Sequence, residues 1–268
     1  MAVLTALRES PGALVRNPIL FVPVLVVMLV QLPVLLLQSV NPILAGVASA
    51  LVSLLSIAAI PFFQGGLLAM ADEALDGRTS FATFLESGKR HYVAILVAYL
   101  VLLAVNFTFG MVAFVAGIAG SVLLIGSGQF GGPNLAVLVA LGVVAAIGIL
   151  AYLLVVFFLQ FYGQAIVLEG RDAVEGLKRS IAVVRENLLS TIGYVLLAGV
   201  VGSLAGLGFA GASALLSQGT TTSVMGNAAP APSLPVLAGV GVGVLVLGTL
   251  FGGFFSVFSV AFYRKIAE

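Results

Sequence analysis

The side chains in this chain that could do chemistry are few, and they lie close together. Asp72, Glu73 and Asp76 sit in "DEALD", and Glu169 and Asp172 sit in "LEGRD" further along. Asp72 and Asp76 are four residues apart, so on a helix their carboxylates share a face and could bind a divalent cation through oxygen ligands. Such a site needs a second acidic cluster opposite the first. Glu169 with Asp172 is the one counterpart, and its spacing differs. The acids therefore read as solvated helix-end residues paired with Arg78 or its neighbours. His91 is the single histidine and there is no cysteine. That removes thiolate metal sites, thiol nucleophiles and disulfides, and it leaves no histidine pair for a metal or a triad. His91, beside Lys89, Arg90 and Tyr92, reads as interfacial. "GSGQFG" (Gly126, Gly128, Gly131) has the G-x-G-x-x-G form. A dinucleotide site also needs a preceding strand and an acid about 20 residues later. The next acid here is Glu169, so the stretch reads as a turn. The expectation is a protein that is not an enzyme, with no cofactor and no metal.

A second set of polar groups lies inside apolar runs: Gln64, Asn106, Gln160 and Gln164. Amides in such places either bond neighbouring helices together or line a path. Asp, Glu, Lys, Arg and His are absent from the middle of these runs, and ion-coupled transport is usually built on such residues. Glue is the first reading of the four amides, and an intramembrane polar path is the second.

The elements that must position these groups follow from composition. The chain is 61% hydrophobic and 8% charged, against about 25% charged in soluble domains. Uncharged apolar runs of about 20 residues cross a bilayer core of roughly 30 Å as helices. Six spans can be read: Pro18 to Gln38, Pro42 to Met70, Tyr92 to Ile125, Asn134 to Leu168, Leu188 to Leu216 and Leu234 to Tyr263. The first is longer than a signal-peptide core and reads as an uncleaved helix. With six spans, all 11 basic residues fall on one side. That side is the cytoplasm by the positive-inside rule, which places both termini inside and the protein in the plasma membrane. A net charge of +1 gives no bias toward nucleic acid. Lipid is the expected partner, with another membrane protein or a second copy as further candidates. Small-x-x-x-small pairs in spans five and six, such as Gly202 with Gly206 and Gly248 with Gly252, predict that these two spans pack closely on each other.

The charges concentrate in "LEGRDAVEGLKRSIAVVREN", which reads as an amphipathic helix. Val174, Leu177, Ile181 and Val184 recur at helical spacing as its apolar face. Asp172 is placed to cap it, and Glu175 to pair with Arg179 at i, i+4. Arg171, Glu175, Lys178, Arg179 and Arg185 form a candidate face for a partner or for lipid headgroups. The helix either lies in the membrane interface or packs on the ends of the bundle. Weaker copies precede the other span pairs. "ALRESPGALVRNPIL" parallels "GLKRSIAVVRENLL" (Leu7 with Leu177, Ser10 with Ser180, Asn17 with Asn187), and "ALDGR" parallels "VLEGR". The fold expected is all-α: a polytopic bundle of six transmembrane helices. Its three parallel two-helix repeats (1–71, 72–168 and 169–268) are each preceded by a short cytoplasmic amphipathic helix.

The unit "VLEGRDAVEGLKRSIAVVRENLL" resembles the cytoplasmic segment of a broad prokaryotic family of six-span proteins of unknown function. That family includes the membrane domain fused to some glycerophosphodiester phosphodiesterases, YciC-like inner-membrane proteins and stand-alone archaeal proteins. The resemblance covers nearly the whole chain, implies six spans and carries over no catalytic residue. The function expected is that of an accessory, assembly or membrane-organising protein working through its charged face. The alternative is a permease or lipid-translocating protein with a path past Gln64, Asn106, Gln160 and Gln164.

Overall fold

The computed structural model describes residues 2–128, 135–221 and 233–268. Among these, every regular element is helical. A short helix and two long ones recur three times in the element order. First come α1 (Ala2–Arg16), α2 (Phe21–Val40) and α3 (Pro42–Asp76). Next are α4 (Phe81–Arg90), α5 (Tyr92–Gly128) and α6 (Leu135–Leu159), the last continued by α7 (Tyr162–Glu169). The third set is α8 (Ala173–Glu186), α9 (Leu188–Thr221) and α10 (Leu234–Ala267). Gly126 and Gly128 belong to α5, while Gly131 and most of the linker between α9 and α10 lie outside the described residues.

Five helices are long and apolar enough to cross a membrane. A sixth candidate is α2, which meets the same test only when taken together with α1. Its axis bends 95° away from α1, because Asn17-Pro18 breaks the helix and a 3-10 turn at Pro18–Leu20 redirects it. With α2 upright in a bilayer, α1 lies along the membrane plane. The long helices overshoot the hydrocarbon: α3 has 35 residues, about 52 Å at 1.5 Å per residue. Its last turns, with Asp72, Glu73 and Asp76, therefore stand in the aqueous boundary.

Packing is concentrated at the charge-bearing end. The buried clusters gather Phe161, Val183, Val184, Phe258 and Phe262 in one place, and Leu20, Met70, Phe84, Val257 and Val260 in another. The opposite halves of α5, α6 and α9 bury little, with Phe114 68% and Leu207 70% exposed. In a membrane these apolar surfaces meet lipid, and their exposure needs no covering partner.

The short helices pack on the bundle ends. Each docks on the last long helix of the set before it: α4 on α3, α8 on α7 and α6, and α1 on α10, which closes a ring. The buried face of α8 is Ala173, Gly176, Ser180, Val183 and Val184. The expected apolar face is therefore corrected: Val174 and Ile181 point outward. Close approach decides this. A Cβ on Gly176 would fall 2.5 Å from Ile166 Cγ1, so small residues face the bundle and branched ones are left outside. Shifted by 170 residues, the buried positions of α1 (Ala6, Ser10, Ala13, Leu14) coincide with Gly176, Ser180, Val183 and Val184 of α8.

The glycines of α10 bring a second correction. Gly248, Gly252 and Gly253 approach Met28, Val24 and Phe21 of α2, whereas Gly199, Gly202 and Gly206 of α9 have open space beside them. The small residues of α10 thus seat α2 more than α9.

Candidate functional site

The ends of α3, α7, α8 and α10 carry the densest polar chemistry, and each group arrives there for a local reason. Gly170, the one described residue in the left-handed region (φ 65°), ends α7 and leaves Glu169 at its tip. Glu169 Oε1 accepts from Tyr263 Oη at 2.5 Å. Arg171 Nε lies 2.6 Å from Oε2, and Arg179 Nε lies 3.0 Å from Oε1. Arg179 also donates to the Ala267 carbonyl at 3.1 Å. This overturns the expected Glu175–Arg179 pair. A solvated i, i+4 pair adds only a few tenths of a kcal/mol. Arg179 faces the bundle instead, where Glu169 is partly shielded. The hydrogen bond to Glu169 raises the Arg179 pKa, so the guanidinium stays charged. Asp172 caps α8, accepting from Glu175 N at 2.8 Å, as its type and place predict.

Arg264, near the end of α10, binds both other acids. Its Nε is 2.6 Å from Asp72 Oδ1 and its Nη1 is 2.7 Å from Asp76 Oδ1. The partner is therefore a residue of the last helix, where Arg78 or a neighbour was expected. Glu73 accepts from Thr79 and Thr83, at 2.8 and 2.6 Å. Lys265 reaches Glu9 of α1 at 3.5 Å. A cleft of about 310 Å³ lies among Glu9, Arg16, Asp76, Arg264, Lys265 and Glu268. Asp72 and Glu169 thus belong to two separate networks, each anchored on α10.

The chain matches a family model described as a domain of unknown function, DUF7847, over residues 1–266. It belongs to that family. No curated protein and no solved structure matches it.

In this DUF7847 protein the residue after each short helix bonds back to that helix through its side chain, and Asn17 and Asn187 also bridge to a neighbouring one. Asn17 donates to the Ala13 carbonyl at 3.0 Å and to the Gly77 carbonyl at the end of α3 at 2.9 Å. Asn187 donates to the Val183 carbonyl at 3.2 Å and to the Ile266 carbonyl at the end of α10 at 2.9 Å. His91 holds the same place after α4, with Nδ1 3.0 Å from Ser87 Oγ and 3.2 Å from Ser87 O. The serines add a second tie. Ser87 donates to the Gly65 carbonyl of α3 at 3.1 Å. Ser180 donates to the Phe158 carbonyl at 2.8 Å and accepts from Phe161 N at 3.1 Å, which closes the gap between α6 and α7.

Burial lowers the His91 pKa, and the nearby Arg90 charge acts in the same direction. An unfolded chain protonates this ring near pH 6.5, whereas the folded chain resists until lower pH. The folded state therefore holds its full stability above about pH 6.5 and loses some as pH falls below it. His91→Asn keeps a side chain able to reach the Ser87 carbonyl and removes the titration. Between about pH 7.5 and about pH 5.5 its melting midpoint in detergent should fall less than that of the parent chain. An equal fall would show that His91 carries none of the pH dependence.

Of the predicted face, Arg171 and Arg179 are thus engaged with Glu169, while Glu175, Lys178 and Arg185 remain exposed with no ion pair among the described residues. The four amides do not form one line. Gln64 and Gln164 border a single cavity. Asn106 accepts from Tyr152 Oη at 2.7 Å between α5 and α6, and Gln160, in the break after α6, donates to the Phe157 carbonyl of that helix at 2.9 Å. Tyr194, Ser256 and Ser259 also border the cavity. Ordinary span residues by type, they carried no signal in the sequence.

Proposed function

We propose that this is a non-enzymatic membrane-organising protein of the plasma membrane, with both termini cytoplasmic, that works through its charged face on lipid headgroups. In this reading the chain is three units, 1–71, 72–168 and 169–268, and the bundle is the membrane part it shares with the phosphodiesterase-fused and YciC-like proteins it resembles. The observation that carries the reading is the outer stripe of α8. Val174, Lys178, Ile181 and Arg185 are all exposed at helical spacing, while the inner face of the helix is docked. Leu4, Arg8, Pro11 and Val15 repeat the stripe on α1, and Phe81, Leu85 and Lys89 repeat it on α4. Alternating apolar and basic groups at the edge of a bundle suit the boundary between acyl chains and anionic headgroups.

A basic residue near an anionic leaflet contributes roughly 1 kcal/mol. The test is the lipid retained by the full chain taken from mixed phosphatidylglycerol and phosphatidylcholine bilayers. The parent chain should be enriched in phosphatidylglycerol, more so at low salt. Lys178→Gln with Arg185→Gln should cut that enrichment about tenfold. Unchanged enrichment in a folded double variant would sink the headgroup reading.

A further inference from the structure

A cavity of about 430 Å³ lies where α2, α3, α7, α9 and α10 meet. Its walls include Val27, Phe63, Leu67 and Phe255, and Ile60, 39% exposed, stands at its rim. The polar lining is unusual in being unspent. Gln164 is 6% exposed and Tyr194 is 8% exposed. Among the described residues, neither the Gln164 amide nor the Tyr194 hydroxyl has a hydrogen-bond partner, and both residues border the cavity. Two polar side chains left without a protein partner on one largely apolar wall mark a seat for a polar group. Gln64 has its carbonyl oxygen taken by Tyr162 Oη at 2.9 Å, which leaves its NH₂ free to donate. Ser256 and Ser259 donate to their own helix, to the Gly252 carbonyl at 2.8 Å and the Ser256 carbonyl at 3.1 Å. Their oxygens are left as acceptors.

The chemistry of the seat selects its ligand. It offers donors and acceptors and contains no charged side chain. A carboxylate or phosphate there would lose hydration with no counter-charge. Depth adds a constraint. Ser259 precedes Arg264 by five residues, about 7.5 Å along the helix, so the seat lies just beneath the charged end. That is the level of the headgroup and acyl boundary, about 5–10 Å in. The volume is at the low end for ligand sites, roughly 300–1,000 Å³, and would hold a head and its first methylenes.

We propose that this cavity binds the head of an uncharged, hydroxyl- and ester-bearing lipid of the diacylglycerol type, with its tails leaving past Ile60 into the bilayer. Gln164 and Tyr194 would bond the head oxygens, and Ser256 and Ser259 would accept a hydrogen bond from its hydroxyl. The site is independent of the outer stripes of the short helices.

The experiment uses the full chain in phosphatidylcholine nanodiscs with a diacylglycerol carrying a diazirine near the head end of one chain. Labelling should map to peptides containing Phe63–Leu68 and Phe255–Ser259. Excess unlabelled diacylglycerol should compete for it, and oleate should compete at least tenfold less well. Gln164→Leu should weaken labelling about tenfold while leaving the melting midpoint unchanged or higher, since an unpartnered amide is removed. Tyr194→Phe deletes only the hydroxyl and should weaken labelling severalfold, a second readout should Gln164→Leu not fold. Labelling spread over all lipid-facing helices would overturn the proposal. So would equal competition by oleate, or full labelling in both folded variants.

Discussion

Gly66→Val should unseat α4 and lower the stability of the whole bundle by about 3 kcal/mol or more. A Cβ at Gly66 would fall 2.6 Å from the Phe84 carbonyl oxygen and would also overlap the Phe84 ring. A ring can swing, but a backbone carbonyl moves only with its helix. Phe84 is 2% exposed and is held edge-on by Phe62 and Phe63, each with ring centroids 5.4 Å away. Its displacement therefore opens a cluster shared with Met70 and Val257. Gly88 meets the Phe62 carbonyl across the same contact, 2.9 Å from its would-be Cβ, so the two helices are close on both sides and neither can slide. Circular dichroism of the purified chain in detergent is the suitable measurement, as the sequence has no tryptophan. Gly199→Ala and Gly206→Ala, which have open space beside them, should be neutral or slightly stabilising. A Gly66→Val melt matching theirs would refute the close contact.

Removing Glu169 is the second large effect expected. Three donors converge on its carboxylate: Tyr263, Arg171 and Arg179. Hydrogen bonds to charged groups contribute about 1.5–3 kcal/mol each when shielded. Glu169 is 22% exposed, so solvent screening reduces the total. Glu169→Ala should cost about 2 kcal/mol overall, chiefly by leaving the Tyr263 hydroxyl and Arg179 without their acceptor. Glu169→Gln keeps the shape and part of the bonding and should cost less. The measurement is the same melt, run at low and high salt. If Glu169→Ala proved no worse than the loss of an exposed acid such as Glu175, the network would be decorative.

The long elements were legible because each rests on a local property. Apolar runs placed the starts of α2, α3, α5, α6, α9 and α10 to within about three residues, and Asp172 announced the start of α8, but α3 runs on past Met70 to Asp76 and the run to Leu168 hid the break between α6 and α7. Two kinds of feature were not legible. The first is which face a short helix buries. Reading by hydrophobicity chose Val174 and Ile181, but at close range size decides, and Gly176 and Ser180 won. The second is pairing at long range. Arg264 meets Asp72 across 192 positions of chain, and no spacing rule within the sequence links them. The site was half visible for the same reason. Gln64 and Gln164 stood out as amides in apolar runs. Tyr194, Ser256 and Ser259 are unremarkable until two separate helices bring them together. Asn17 and Asn187 are the exception, since their parallel in sequence is matched by parallel bonds in space.

The ring of short helices has a consequence for synthesis. α1 is made well before α10, the helix on which it mainly packs. Until α10 is inserted, the main cover of the buried face of α1 is missing and Glu9 has no Lys265. α1 therefore acts as a latch that shuts only once α10 is in place. A chain stalled before α10 would display that uncovered face at the membrane surface, a ready handle for the chaperones and proteases that clear incomplete products.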